Sequence, residues 1–402
     1  MGAVDERQPI GEESLPPLLT TSEADSFAAG TITDRKPRIL RQVCEDDDYP
    51  PEIADAVAAL ETELADGSIQ PLTEQAADVT EWNQAWAAWQ GRTWRDVGWY
   101  FAEAFLYRRL LEAIRYLQPG PWQGQDPFWR RKRAQERSAM REFALGWGRV
   151  AVAEPHVAFE ALLHSALWGN RADLSNIGVR APALGGLDVQ GERHRLLVDD
   201  TERVSTLCQA GLGSVAIVTD NVGLELLSDL ALADFLMAQS WAQRVTMHVK
   251  DRPFYVSDAL QHDVALAVAA LAASDEPDVR ALGARLRGYW RTQRLRWQTH
   301  PFWTGPMCFR SMPSELRATL AEADLVVLKG DLNYRRLVDD RRWPYTTSLA
   351  EAAGDFPRPF LALRTLKAEL VVGLSLGQAE QAAAEDPDWL VDGERGLIQL
   401  VE

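Results

Sequence analysis

Two acids and an amide, each at the end of an apolar run, are the residues of this chain best suited to chemistry. The stretch Ser214-Val-Ala-Ile-Val-Thr-Asp220-Asn221-Val-Gly223-Leu-Glu225 reads as a buried strand entering an acidic, amide-bearing turn and then a helix. A second run, Val245-Thr-Met-His-Val-Lys250, leads through Pro253-Phe-Tyr-Val-Ser to Asp258, at the start of the amphipathic segment 259–272. A third, Asp324-Leu-Val-Val-Leu-Lys329-Gly330-Asp331, ends in a Lys-Gly-Asp turn. Right-handed crossovers bring the carboxyl ends of parallel strands to one sheet edge, where open α/β folds bind ligands, so these three turns are expected to converge.

Asp220, Asn221 and Asp258 would offer two carboxylates and an amide oxygen. Such hard donors suit magnesium or manganese better than zinc and leave positions for water and substrate. A cation there polarises a phosphoryl oxygen. Lys329, with Gly330 allowing close backbone approach, could neutralise another, and Asp331 stands beside it as a candidate substrate contact. Phosphoryl transfer asks mainly for positioning and charge neutralisation, and these parts supply both.

Plainer readings stand beside this one. Asp220 or Asp258 alone could be a helix N-cap. Glu225 could complement a helix dipole or serve the site as a supporting or acid/base group. A lysine such as Lys329 is ordinarily solvated, and His262 reads as a surface or core histidine. Two enzyme templates fail on paper. A haloacid-dehalogenase-type phosphatase needs an acid two residues after its nucleophile, where Val222 stands. A Rossmann-type methyltransferase needs a glycine-rich turn after its first strand, whereas Gly211-Leu-Gly213 precedes the strand.

The elements that must position these turns divide the chain. Residues 1–38, rich in Pro, Ser, Thr and acids, read as an extended arm. From 39 to about 180 the periodicity is helical: Trp82, Trp86 and Trp89 form one stripe, and Leu106, Leu110 and Ile114 another. Pro119-Gly-Pro121 breaks that pattern before a second helical tract from Phe128 to Leu167. The basic run Arg130–Arg133 in that tract reads as a solvated helix face. From 181 to 402, short apolar runs alternate with amphipathic segments: Arg195–Val198, Val215–Thr219, Val245–Val249, Leu295–Thr299, Leu325–Leu328, Phe360–Leu363 and Leu370–Val372. Such alternation predicts βαβ units. The expected fold is α/β: a three-layer α/β/α sandwich on a mostly parallel sheet, with an N-terminal helical lobe.

Bulk properties narrow the function classes. The 402 residues carry 42 Lys and Arg against 59 Asp and Glu, a net charge of −17, which argues against a nucleic-acid backbone as partner. Cys44, Cys208 and Cys308 are too few and scattered for a disulfide framework or a cysteine zinc site. No signal peptide and no membrane span are visible, so the cytoplasm is the expected address. Nothing in the sequence indicates an oligomeric state.

The segments Asp220-Asn-Val-Gly-Leu-Glu225-Leu-Leu-Ser-Asp229-Leu, Phe254-Tyr-Val-Ser-Asp258 and Lys329-Gly-Asp-Leu-Asn-Tyr334 together resemble the metal-dependent damage-control phosphatases, long catalogued as a domain of unknown function. The likeness is to their sugar-phosphate branch, also called acidic-residue methyltransferase-like. It runs from about Thr31 to the end and includes Phe101-Ala-Glu103-Ala-Phe-Leu-Tyr107-Arg108-Arg109 and Leu167-Trp-Gly-Asn170-Arg-Ala-Asp173-Leu-Ser175. The resemblance implies that Asp220, Asn221 and Asp258 bind a divalent ion (manganese, magnesium, cobalt or nickel) and that Lys329 holds the substrate phosphate. It implies that Glu103, Arg108, Asn170 and Asp173 approach the sugar of a small phosphorylated metabolite such as fructose 1-phosphate or fructose 6-phosphate. Val222 departs from the family pattern, which has a small residue there, and would reshape the pocket. The alternatives are a carboxyl methyltransferase using S-adenosylmethionine and a non-catalytic metabolite-binding protein of the same fold.

Overall fold

A computed structural model describes residues 15–169 and 193–402. Seven strands form one sheet: β1 (Leu196–Asp199), β2 (Leu212–Val218), β3 (Ala242–Val249), β4 (Leu295–Thr299), β5 (Leu325–Lys329), β6 (Phe360–Thr365) and β7 (Gly396–Val401), in the order β1-β7-β6-β5-β2-β3-β4. Strands β6, β5, β2, β3 and β4 are mutually parallel, while β7 runs antiparallel to β6 and parallel to β1. The sheet is therefore mostly parallel, as the alternation of apolar and amphipathic segments implies. The expected strand at 370–372 does not form: Leu370, Val371 and Val372 are buried in the core without joining the sheet. The seventh strand is Gly396–Val401 instead.

Side-chain alternation sorts the strand residues onto two apolar layers. Val215, Ile217, Val245, Met247, Leu325 and Val327 face helices Trp129–Ala151, Pro155–Trp168, Leu224–Ala238, Gln261–Ala272 and Pro277–Arg291. Ala216, Val218, Val326, Leu328, Phe360 and Ala362 face Trp303, Phe309, Leu320, Tyr334 and Leu337 on the other side. The result is the expected three-layer sandwich. A third core, built on helices Lys36–Asp46, Pro51–Asp66, Val79–Ala87 and Trp99–Ala113, makes the helical lobe; Trp82, Leu106, Leu110 and Ile114 lie inside it and Trp86 and Trp89 pack against it. Phe254, Val256 and Leu332, from turns at the sheet edge, insert into this lobe core.

Three expectations need correction. The chain is extended only to Ser26 among the described residues, because Phe27–Gly30 is helical and Thr31–Arg35 continues as a π-helical turn into Lys36–Asp46. The 128–167 tract, expected within the 39–180 helical lobe, forms two helices, parted at Val152–Glu154 before Pro155, that pack against the sheet in the sandwich core instead. The basic run is not uniformly solvated. Arg130 is exposed beside Asp47, but Lys132 is fully buried between Asp126 and Asp263, since helical rotation turns successive residues to different environments.

Register levels the strand ends. Val218 of β2 pairs with His248 of β3 and with Leu328 of β5, so the turns after all three leave the sheet at one height. Strand order reverses at β2, because β3 lies on one side and β5 on the other. Helix Pro155–Trp168 closes over this point. A Cβ on Gly169 would stand 2.8 Å from Glu225 Cα, so the two backbones touch where helix Leu224–Ala238 begins. Gly169→Ala should cost about 1–3 kcal/mol through overpacking, read as a lower midpoint in urea unfolding with an unchanged slope.

Candidate active site

A cavity opens at this reversal, between the sheet edge and the helical lobe, and Asp220, Asn221, Asp258, Glu103 and Asp331 all line it. Two backbone hydrogen bonds clip the first two turns together: Ala259 N donates to Asp220 O at 2.8 Å and Val222 N to Ser257 O at 2.7 Å. Asn221 Nδ2 donates to Asp220 Oδ2 at 2.8 Å and to Glu225 Oε2 at 3.1 Å. Ser257 Oγ lies 2.5 Å from Asn221 Oδ1, on the opposite side of the carboxamide. Lys250 Nζ stands 3.3 Å from Asp258 Oδ2. Asp220, Asn221 and Asp258 are each at most 6% exposed. Two buried carboxylates and an amide oxygen in one cavity fit a hard divalent cation.

The third turn serves the first from behind. Gly330 has φ +83°, and a Cβ there would overlap the Asp220 carboxylate. Only glycine allows this approach. Lys329, at the end of β5, faces the same side as Val327, away from the cavity. Its Nζ donates to Ala166 O at 2.7 Å and Glu225 Oε1 at 2.8 Å, and lies 2.8 Å from Asp229 Oδ1. The lysine is fully buried, so the expected contact with a substrate phosphate is not made by this geometry. Burial works to discharge Lys329, but Asp229 and Glu225 outweigh it and hold its pKa above the ordinary lysine value. Burial, with the Glu225 charge, raises Asp229 to about 7 against the pull of Lys329. The Glu225–Asp229 spacing of four residues, which puts both on one helix face, was the sequence signal for this cluster.

From the lobe, Trp99, Glu103 and Tyr107 line the cavity at four-residue spacing on helix Trp99–Ala113. Arg108 does not. It lies 2.7 Å from Glu74 Oε1 and 2.7 Å from Asp78 Oδ2, buried within the lobe. Five residues from Glu103 correspond to about 140° of helical rotation beyond a full turn, which turns Arg108 away. Asn170 and Asp173 lie outside the described residues. Val222 is wholly buried in the sandwich core and does not line the cavity, so the expected reshaping of the pocket does not follow.

Residues that sequence reasoning missed complete the wall. Arg35, Arg335 and Lys367 bring cationic side chains, and Thr31 and Tyr255 bring hydroxyls. The π-helical turn presents both Thr31 and Arg35 to the cavity, an irregularity that the sequence does not announce. Arg335 Nη1 donates to Glu103 Oε2 at 2.6 Å and its Nε to Asp340 Oδ1 at 2.7 Å, with its guanidinium 3.4 Å from the Trp99 ring centroid. Lys36 Nζ reaches Glu103 Oε1 at 2.7 Å. Tyr255, with a left-handed backbone of φ 53°, extends its hydroxyl to Glu103 Oε2 at 3.3 Å. Asp331 Oδ1 accepts from Arg364 Nε at 2.8 Å and Lys367 N at 3.1 Å.

A second acidic cluster, Asp126, His262 and Asp263, has ligand atoms within 4.8 Å of one another. Lys132 Nζ lies 2.9 Å from Asp126 Oδ2 and 3.2 Å from Asp263 Oδ2, so an ammonium already holds the place a metal would take.

Comparison with known proteins gives the chain a lineage. The fold is similar to the crystal structure of a DUF89 family protein from Pyrococcus horikoshii, at a TM-score of 0.52 and 15% identity over 98% of this chain and 100% of that one. The description "damage-control phosphatase ARMT1-like domain" matches residues 31–382, and the chain belongs to that family. The zebrafish (Danio rerio) damage-control phosphatase ARMT1 is 31% identical over 440 residues, covering 97% of this chain and 98% of that protein. The mouse (Mus musculus) protein of the same name is 32% identical over 441 residues, with 96% and 98% covered. The rat (Rattus norvegicus) one is 33% identical over 436 residues, again with 96% and 98% covered.

Two outcomes follow from the geometry. Gly330→Ala should lower turnover by about 100-fold or more, because it displaces the Asp220 carboxylate by a fraction of a side chain; steady-state rates beside a circular-dichroism melt check this. Burial raises the Glu103 pKa, but Lys36 and Arg335 outweigh it and hold the carboxylate at about 2. A depressed carboxylate stabilises fully above its unfolded value and loses that contribution as pH falls through the folded one. Wild-type stability should therefore drop between about pH 5 and about pH 2. Glu103→Gln should be less stable at neutral pH, with a flatter acid limb, in urea titrations across that window.

Proposed function

We propose that the protein is a metal-dependent phosphomonoesterase acting on small phosphorylated metabolites, with sugar phosphates such as fructose 1-phosphate or fructose 6-phosphate as the substrate class. The observation that carries this reading is one cavity holding Asp220, Asn221 and Asp258 on its sheet wall and Arg35 and Lys367 elsewhere on its lining. Hard anionic donors beside separate cations are what a divalent ion and a phosphate dianion together require. Family membership supports the same chemistry.

In this reading Asp220, Asn221 and Asp258 hold the ion, which would be manganese, magnesium, cobalt or nickel. When bound, such an ion supplies positive charge to a phosphoryl oxygen. Arg35 and Lys367 neutralise the remaining phosphate charge. The hydroxyls of Thr31 and Tyr255 and the carboxylate of Asp331 are placed to meet the hydroxyls of a sugar. Glu103 orients Arg335 and Tyr255, and Glu225 and Lys329 support the site from behind.

Asp220→Ala and Asp258→Ala should each abolish phosphate release from a panel of phosphometabolites assayed with several divalent ions, while circular dichroism stays native. Chelation of the wild type should do the same, reversibly on adding manganese. Undiminished activity in both variants, or in chelator, refutes the assignment. Saturable binding of S-adenosylmethionine in calorimetry, without phosphate release, would favour a methyltransferase instead.

A further inference from the structure

A carboxamide can present either its oxygen or its NH₂ group to a neighbour, and only the oxygen can ligate a cation. At Asn221 the choice is made by acceptors. Asp220 Oδ2 at 2.8 Å and Glu225 Oε2 at 3.1 Å both face Nδ2, and Ser257 Oγ faces Oδ1. Glu225 can hold this orientation only while both its oxygens accept, because its other oxygen, Oε1, receives Lys329 Nζ at 2.8 Å. Lys329 is itself fixed by Ala166 O and Asp229 Oδ1 at 2.7 and 2.8 Å. All three charged groups are at most 1% exposed, so no water substitutes for a lost partner at low cost.

We propose that Lys329 is a positioning residue of the metal site: held by Asp229 and Ala166, it fixes Glu225, and Glu225 fixes the Asn221 carboxamide so that Oδ1, which also accepts from Ser257 Oγ, is the atom offered to the ion. This inference rests on the proposed metal site and replaces a phosphate contact for Lys329 with an indirect role. Partners one hydrogen bond behind a metal ligand typically change metal affinity by about 10- to 100-fold when lost. A glutamine at 225 cannot preserve the arrangement. Its NH₂ group would face either the Asn221 NH₂ or the Lys329 ammonium, donor against donor.

The probe is manganese itself. Its binding to the wild type, Glu225→Gln, Lys329→Met and Asp229→Asn is measured by calorimetry and by the free-ion electron paramagnetic resonance signal. Inhibition by inorganic phosphate is measured at saturating manganese. We expect Glu225→Gln and Lys329→Met to weaken manganese binding by about tenfold or more, with phosphate inhibition changed by less than about twofold once the metal site is filled. Asp229→Asn, whose carboxylate meets the chain of contacts at Lys329 and so lies further from Asn221, should show a smaller loss. Wild-type manganese affinity in Glu225→Gln overturns the proposal. So does a weaker phosphate inhibition in Lys329→Met with manganese binding intact, because that pattern belongs to direct phosphate contact. If Lys329→Met does not fold, the near-isosteric Glu225→Gln decides alone. A wild type that binds no manganese would instead sink the functional reading beneath it.

Discussion

Two backbone hydrogen bonds between the turns after β2 and β3 are the constraint on which the site depends. With Ala259 bonded to the Asp220 carbonyl and Ser257 to the Val222 amide, neither turn can shift without the other. Backbone bonds of this kind are independent of side-chain identity, so Asp220, Asn221 and Asp258 inherit a fixed frame. Register provides the height of that frame, because Val218 lies level with both His248 and Leu328. Glycine at 330 lets the third turn close against Asp220.

Around this frame the charges are layered. Nearest the cavity are the acids suited to an ion, together with Arg35 and Lys367. On the sheet side a buried cluster, Lys329 with Glu225 and Asp229, lies behind them, and on the lobe side Lys36 and Arg335 pair with Glu103, with Glu103 and Arg335 themselves lining the cavity. Buried ion pairs are poor sources of net stability, since desolvation offsets much of their attraction. Their presence on both sides of one cavity is better explained by the need to fix polar side chains in single orientations.

Much of this was legible in the sequence, for definable reasons. Apolar runs bounded by turn residues located six of the seven strands, and the acidic turns at their ends marked the metal-suited residues, because strand ends and ligand sites coincide in open α/β sheets. The seventh strand was missed because Leu370–Val372 is as apolar as Gly396–Val401, and only tertiary pairing separates them. Lys329 turns away from the cavity because strand parity, not residue type, decides which face a side chain takes. Arg108 turns into the lobe for the corresponding helical reason, whereas counting by fours from Glu103 reaches Tyr107. Arg35 stood beyond reach, since its place depends on a π-helical turn, and Lys367 follows a strand end that carries no acidic marker.

Phe254 and Val256 are embedded in the lobe core, whereas Asp258, two residues later, belongs to the sheet edge. Ser257 alone separates the two attachments, and its hydroxyl and carbonyl are both engaged by the Asn221 turn. The segment therefore works as a short tether without slack. A lobe that tilted away from the sheet would drag on Asp258 within two peptide units, so widening the cavity mouth and loosening the grip on an ion become one mechanical event.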